Sequence, residues 1–239
     1  MNFLSLTCLL ILSFSVPGFS QRVIRGDGSD FTESRTVPAF DKLGLAVSAE
    51  VILVKGNSPG VRIEGEKNVV DVLITEVGDK ELKLHFPLFK DVRQTKPLRI
   101  WVTTSDIVGI WNSGSGRIHS EDVFKSESIS FHNSGSGKIE LGVEAALVGI
   151  SMSGSGGVHL NGKAGRLDCS ISGSGRVRAE DLTVQKETNV HISGSGSCTI
   201  TTDGVIEGGI SGSGGINYRG NPSSVDVHHS GSGRARKVD

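Results

Sequence analysis

"WNSGSGRIHS", residues 111–120, contains the tetrad Ser113-Gly114-Ser115-Gly116, which taken alone has the composition of a flexible linker. The same tetrad begins again at Ser134, Ser153, Ser172, Ser193, Ser211 and Ser230. A near-constant period of about 20 residues marks a solenoid, in which each repeat is one coil stacked on its neighbours.

Aligning the copies on the first serine exposes the strand pattern. Five residues before it stand Val108, Ile129, Val148, Leu167, Thr188, Ile206 and Val225; three before it stand Ile110, Phe131, Ile150, Cys169, Val190, Gly208 and Val227. Five residues after it come Ile118, Ile139, Val158, Val177, Cys198, Ile216 and Ala235. These apolar columns all fall on odd offsets, and a period of two is the signature of strands with one buried face. Both tetrad glycines share that parity, so they face inward and leave room for the chain to bend, while both serines face water. Stacked hydroxyls could then form a hydrogen-bonded ladder along the coils.

The even offsets are polar. Two residues before the tetrad are Trp111, His132, Ser151, Ser170, His191, Gly209 and His228; four after its start are Arg117, Lys138, Gly157, Arg176, Ser197, Gly215 and Arg234. Six after its start come His119, Glu140, His159, Arg178, Thr199, Asn217 and Arg236. The candidate binding face is therefore Trp111, Arg117, His119, Lys138, His159, Arg176 and Arg178. The expected fold is all-β: a right-handed single-stranded parallel β-helix over residues 108–239, the hand following from the chirality of parallel crossovers.

Residues 36–107 lack the tetrad but carry alternating segments such as "VRIEGE" and "ELKLHF" between turn signals, and read as an N-terminal β-sheet cap for the solenoid. Within them, apolar spacing over Asn68 to Val77 predicts a short helix. Residues 21–35 read as a flexible leader; the tripeptide Arg25-Gly26-Asp27 within it is common enough by chance to carry little weight. Residues 1–20 read as a secretory signal peptide, with an apolar run from Phe3 to Val16 followed by Pro17-Gly18 and small Ser20. The chain is thus expected to be exported, with no transmembrane segment once that peptide is removed.

Composition narrows the partners. With 239 residues, 36% of them apolar, and a formal net charge of −1, the chain has ample core material and no overall basic character that would imply nucleic acid. Beyond the signal peptide only Cys169 and Cys198 remain, which excludes a disulfide framework and leaves either two buried thiols or one bridge.

The opening pattern "VPAFDKLGLAVSAEVILVKGNSPGVRIEGEKNVVDVLITEV", the recurrent SGSG and the late "SGSGGINYRGNPS" together resemble the family called putative auto-transporter adhesin, head GIN domain, a group of exported bacterial proteins. The resemblance runs from about residue 36 to the C-terminus. It implies a β-sheet part followed by a β-helix, and it brings no catalytic, metal or cofactor residues with it.

Chemistry in the sequence is sparse. His132 and His191 share a column but are three strand spacings apart, roughly 14 Å, too far to hold one metal ion. No nucleophile elbow, phosphate loop or HExxH is present. Outward acids such as Glu140 and Glu207 are scattered rather than clustered, which argues against a carbohydrate-active enzyme. The leading expectation is a non-enzymatic, adhesin-like envelope or surface protein without cofactor, whose polar face binds surface glycan or envelope protein. The alternative is a structural scaffold that forms homo-oligomers through its cap or an open solenoid end.

Overall fold

Alternation between tetrads produces strands, and nothing between most tetrads interrupts them. The computed structural model describes residues 22–239; the expected signal peptide lies outside them. The first strands are β1 (Arg22–Arg25), β2 (Phe31–Thr36), β3 (Lys42–Leu45), β4 (Glu50–Lys55) and β5 (Gly60–Gly65). One turn of helix, α1 (Lys67–Val70), precedes β6 (Ile74–Gly78), β7 (Glu81–His85), β8 (Lys90–Arg93) and β9 (Arg99–Thr104). After β10 (Gly109–Asn112), β11 (Arg117–Asn133), β12 (Lys138–Gly154), β13 (Gly157–Gly173) and β14 (Arg176–Gly194) each run from one tetrad to the next. The later coils divide into β15 (Ser197–Thr202) and β16 (Val205–Gly212), then β17 (Gly215–Arg219) and β18 (Ser224–Ser230), then β19 (Arg234–Lys237). Among the described residues no helix is long and apolar enough to cross a membrane.

The architecture is a parallel β-solenoid, and the sequence columns are its ladders. Arg117, Lys138, Gly157, Arg176, Ser197, Gly215 and Arg234 pair in unbroken register from coil to coil. Inside lie the predicted apolar columns: Phe131, Val190, Ile118, Ile139, Val177 and Cys198 are all wholly buried. A further inward column, one residue before each of the first six tetrads, consists of Asn112, Asn133, Met152, Ile171, Ile192 and Ile210, each no more than 2% exposed; before the seventh stands exposed His229. Its two asparagines brace the bend, since Asn112 Nδ2 donates to Gly116 O (2.8 Å) and Asn133 Nδ2 to Gly137 O (2.7 Å). Cys169 and Cys198 are buried free thiols with their sulfurs 3.8 Å apart; that contact and burial push the Cys198 thiol well above its ordinary pKa.

The tetrads themselves are hydrogen-bonded corners. Ser174 N donates to Gly154 O (3.0 Å), Ser195 N to Gly173 O (2.9 Å) and Ser197 N to Gly175 O (3.0 Å), so each corner rests on the backbone of the one before. Glycine is required at Gly194 because φ is +116° and an added Cβ would lie 2.6 Å from Gly173 O. The hydroxyls contribute less than the sequence implies. Among the described residues one serine pair of adjacent tetrads, Ser213 and Ser232 (3.1 Å), is hydrogen-bonded, because the strand spacing of about 4.8 Å exceeds hydroxyl reach. Coils of unequal length fit side by side through register shifts away from the corner, one between His119 and Val123 and two between β13 and β14.

The sheet is continuous across the expected boundary at residues 107–108. β3 lies between β7 and β10, and β4 between β9 and β11, all parallel. Leu45 is in register with Asn112 and Glu50 with Arg117, so Ala46-Val47-Ser48-Ala49 occupies the tetrad position of an earlier coil. Val47 and Ala49 point inward, 4% and 7% exposed. Below them β7 and β9 are joined by a long excursion, residues 86–98, rather than by a four-residue corner. Antiparallel strands close this end: β5 on β9, β2 on β5, and β6 on β7.

Two expectations are corrected here. The helix predicted for Asn68 to Val77 is only the turn α1. Ile74–Gly78 is instead a strand of a tight hairpin whose turn residues Asp79 and Lys80 both have positive φ, 52° and 61°. Of the leader expected at 21–35, the described residues 22–35 are not free chain: β1 pairs with β8, β2 pairs with β5, and the loop between them is tied to the buried carboxylate of Glu66. That carboxylate accepts from the Thr95 hydroxyl and from the backbone N–H groups of Gly28 (2.7 Å), Thr95 (2.8 Å) and Lys96 (3.2 Å). Asn68 Nδ2 donates to Arg25 O (2.7 Å), and the Asp27 carboxylate accepts from Ser29 of its own loop.

The Gly194→Ala substitution should cost about 1–3 kcal/mol for backbone strain, with the carbonyl clash adding to it, whereas exposed Ser195→Ala should stay within about 0.5 kcal/mol; chemical denaturation of both variants checks this. A second test concerns pH. The Thr95 hydroxyl, working against burial and helped by the backbone donors, lowers the Glu66 pKa from 4.5 to about 2. Its stabilising contribution is therefore complete above pH 4.5 and lost as pH falls from 4.5 through 2. Stability measured across that window should fall in the native chain and fall less steeply in Glu66→Gln.

Candidate functional site

The seven residues singled out in the sequence divide at the corner. Trp111 stands before the bend and stacks on His132, ring centroids 5.3 Å apart and planes 6° from parallel. Arg117, His119, Lys138, His159, Arg176 and Arg178 stand after the bend, on the strands running from Arg117 to Arg178 in β11, β12, β13 and β14. The chain turns between the two groups, so Trp111 is not part of the basic cluster. No periodicity argument could show this, because columns on both sides of a corner share the same parity.

Over β12 to β14 four of the second group, Lys138, His159, Arg176 and Arg178, border a hollow of about 280 Å³. Its rim is Lys138, Glu140, His159, Arg176 and Arg178, with the hydroxyl column Ser136, Ser155 and Ser174 along the corner side. The hollow exists because Gly157 is in register between Lys138 and Arg176 and carries no side chain. This gap is visible in the sequence column, yet its meaning depends on the neighbours being adjacent in space. A Cβ at Gly157 would meet nothing closer than 3.7 Å, so the glycine is not demanded by the fold.

The charges around the hollow are unequally matched. Arg117 is bound to Glu140, His159 Nε2 lies 3.3 Å from Asp181, and His119 Nε2 lies 3.4 Å from Glu50. Burial opposes ionisation of Glu140, but the Arg117 hydrogen bond and charge, with His159 and Arg178, outweigh it and hold its carboxyl below the ordinary pKa. Lys138, Arg176 and Arg178 form no ion pair among the described residues. Two strand spacings, roughly 9.6 Å, separate the backbone positions of Lys138 and Arg176. The arrangement can receive anionic groups set along the solenoid axis, with serine hydroxyls available to the neutral parts of the same ligand.

Before the corner, the other face holds hollows of about 440 and 500 Å³ bordered by His132, His191 and His228. There Arg166 pairs with Asp168 (3.0 Å) and Glu187 (3.4 Å). Ser151 and Ser170 separate His132 from His191 in the ladder, and no group of three or more His, Cys, Asp or Glu side chains converges among the described residues.

Comparison with known proteins places this geometry in context. A family model described as "Putative auto-transporter adhesin, head GIN domain" matches residues 39–222. Among solved structures, a putative adhesin from Bacteroides fragilis is similar with a TM-score of 0.85 at 22% identity, covering 90% of this chain and all of that one. A putative lipid binding protein from Parabacteroides distasonis (TM-score 0.74, 22% identity) and a putative adhesin from Parabacteroides merdae (0.73, 20%) each cover 91% of this chain and are themselves wholly covered. At such identities these likenesses establish the fold. A comparison with curated proteins returned no match.

Proposed function

This chain belongs to the family of putative auto-transporter adhesin, head GIN domain proteins, and on that premise we propose that it is an exported, non-enzymatic envelope or surface protein that binds acidic glycans. The binding element is the groove of β12 to β14. The observation that carries the reading is the set of three cations, Lys138, Arg176 and Arg178, around the open place at Gly157, none of them in an ion pair among the described residues, although Arg178 is near enough to Glu140 to help lower its pKa. On the other face, Arg166 is instead paired with Asp168 and Glu187. A linear polyanion laid along the stack meets cations at multiples of the strand spacing, and an extended groove favours a repeating ligand over a compact one. Arg117, paired with Glu140, and His119, whose Nε2 lies 3.4 Å from Glu50, stand on the strand beside the groove. The names of the similar adhesins from Bacteroides fragilis and Parabacteroides merdae support a surface role for this chain.

A scaffold without ligand is the competing reading, and it draws on the last coil, β18 and β19. There the apolar column meets solvent, with Val225 41% exposed.

Affinity for uronate-bearing and sulfated oligosaccharides, measured calorimetrically at low salt, separates the two. Replacing Lys138, Arg176 and Arg178 together by Gln should weaken binding by about threefold to a hundredfold, since exposed charge contacts contribute about 0.2–1 kcal/mol each. Gly157→Gln should weaken it by filling the hollow while leaving thermal stability unchanged. Absence of binding to every acidic glycan, with self-association through the C-terminal end, would instead establish the scaffold.

A further inference from the structure

The excursion between β7 and β9 carries a feature that the groove does not use. Leu88 is 84% exposed and Phe89 75% exposed, adjacent in sequence at a turn closed by Lys90 N donating to Pro87 O (3.3 Å). The other strongly exposed apolar side chains of the described residues are all valines, Val23, Val54, Val123 and Val225, and no two of them are neighbours in sequence. Phe89 has φ +65°, a conformation that a bulky residue rarely adopts and that costs energy to hold. The strand that follows, β8, pairs with β1 in a small two-stranded sheet separate from the solenoid sheet, and this places Val23, 54% exposed, opposite Asp91.

Charge surrounds the tip. Arg25, Lys90 and Arg93 are exposed on the two strands, and the one carboxylate of that small sheet, Asp91, is held by Arg93 at 2.9 Å. Arg25 and Lys90 form no ion pair among the described residues. The near-zero charge of the whole chain conceals this local excess.

We propose that the Leu88-Phe89 turn is a membrane-docking tip that inserts into the interfacial region of an anionic bilayer, with Arg25 and Lys90 held at the headgroups. Two apolar side chains on a convex turn offer far less area than the roughly 1,200 Å² a stable protein interface buries. A bilayer needs no complementary shape, accepts bulky apolar side chains just below its headgroups, and attracts flanking cations when it is anionic. The position suits the solenoid. β7 and β9 form the first layer of the parallel stack and β18 and β19 the last, so a cap-end contact leaves the coils and their basic groove projecting away. This inference does not depend on the glycan reading.

The test uses the full chain with tryptophan as a local reporter. In Phe89→Trp, emission above the wild-type background should shift to the blue on addition of phosphatidylglycerol-containing vesicles, and shift less with pure phosphatidylcholine. A Val225→Trp control at the opposite end should not respond. Whatever the apolar run at residues 3–16 adds to total binding, the signal at position 89 reports the tip alone. The pair Leu88→Ser with Phe89→Ser should lower partitioning at least tenfold with an unchanged melting temperature, and Lys90→Glu should lower it on anionic vesicles only. Unchanged emission of the Phe89→Trp variant at saturating lipid, or equal partitioning of the serine variant, would overturn the proposal. So would vesicle-free self-association abolished by the serine pair, which would make the tip a contact between copies.

Discussion

Everything in this molecule depends on the close approach of backbone to backbone at the corners. Where one tetrad lies on the next, the N–H groups of Ser195 and Ser197 reach Gly173 O and Gly175 O at 2.9 and 3.0 Å, and no side-chain carbon fits between them. That contact holds successive coils in register, and register turns a repeat in sequence into columns in space. The apolar columns then form one continuous core, while the outward columns become surfaces in which neighbouring residues come from different coils. Glycine and serine, the residues of a linker, here form the most constrained backbone of the fold.

The same constraint separates frame from function. The coils differ in length, and the register shifts that absorb the difference lie away from the corners, as between His119 and Val123. Outward positions are free to change identity because each is anchored by the ladder beneath it. Omitting a single side chain at Gly157 opens a hollow, and the identity of its neighbours sets its charge. At the cap, where no corner lies below, Val47 and Ala49 take the inward places that glycines hold elsewhere. The cap end is also where Glu66 gathers the leader, α1 and the Thr95–Lys96 segment around one carboxylate.

The solenoid was legible in the sequence because strand parity and coil period are both local properties, readable by alignment of the chain with itself. The coil at Ala46-Val47-Ser48-Ala49 was not, since it lacks the tetrad and lies far ahead of Ser113 in the chain, outside the period; its alternation of Val47 and Ala49 with polar or small neighbours is the one signal that could have revealed it. The order of the leader was hidden because Glu66, the group that fixes it, is distant in sequence and acts only after folding. Of the candidate face, the columns were legible and their grouping was not. The direction in which a corner turns separates Trp111 from Arg117, and the pairing of Arg117 with Glu140 leaves Lys138, Arg176 and Arg178 as the charges available to a ligand. The exposed Leu88-Phe89 turn had no sequence signal at all, because an apolar pair in a strand-rich segment reads equally well as core.

The most direct test of the central claim is amide hydrogen exchange at the corners, resolved to single residues at Ser174, Ser195 and Ser213, whose N–H groups donate to Gly154, Gly173 and Gly194 of the preceding coils. If the tetrads are the frame, these amides exchange as slowly as those of flanking core residues Val177 and Cys198 and open only with global unfolding. Exchange at the rate of unstructured chain, with the intervening strands still protected, would show that the corners are linkers and would contradict the account.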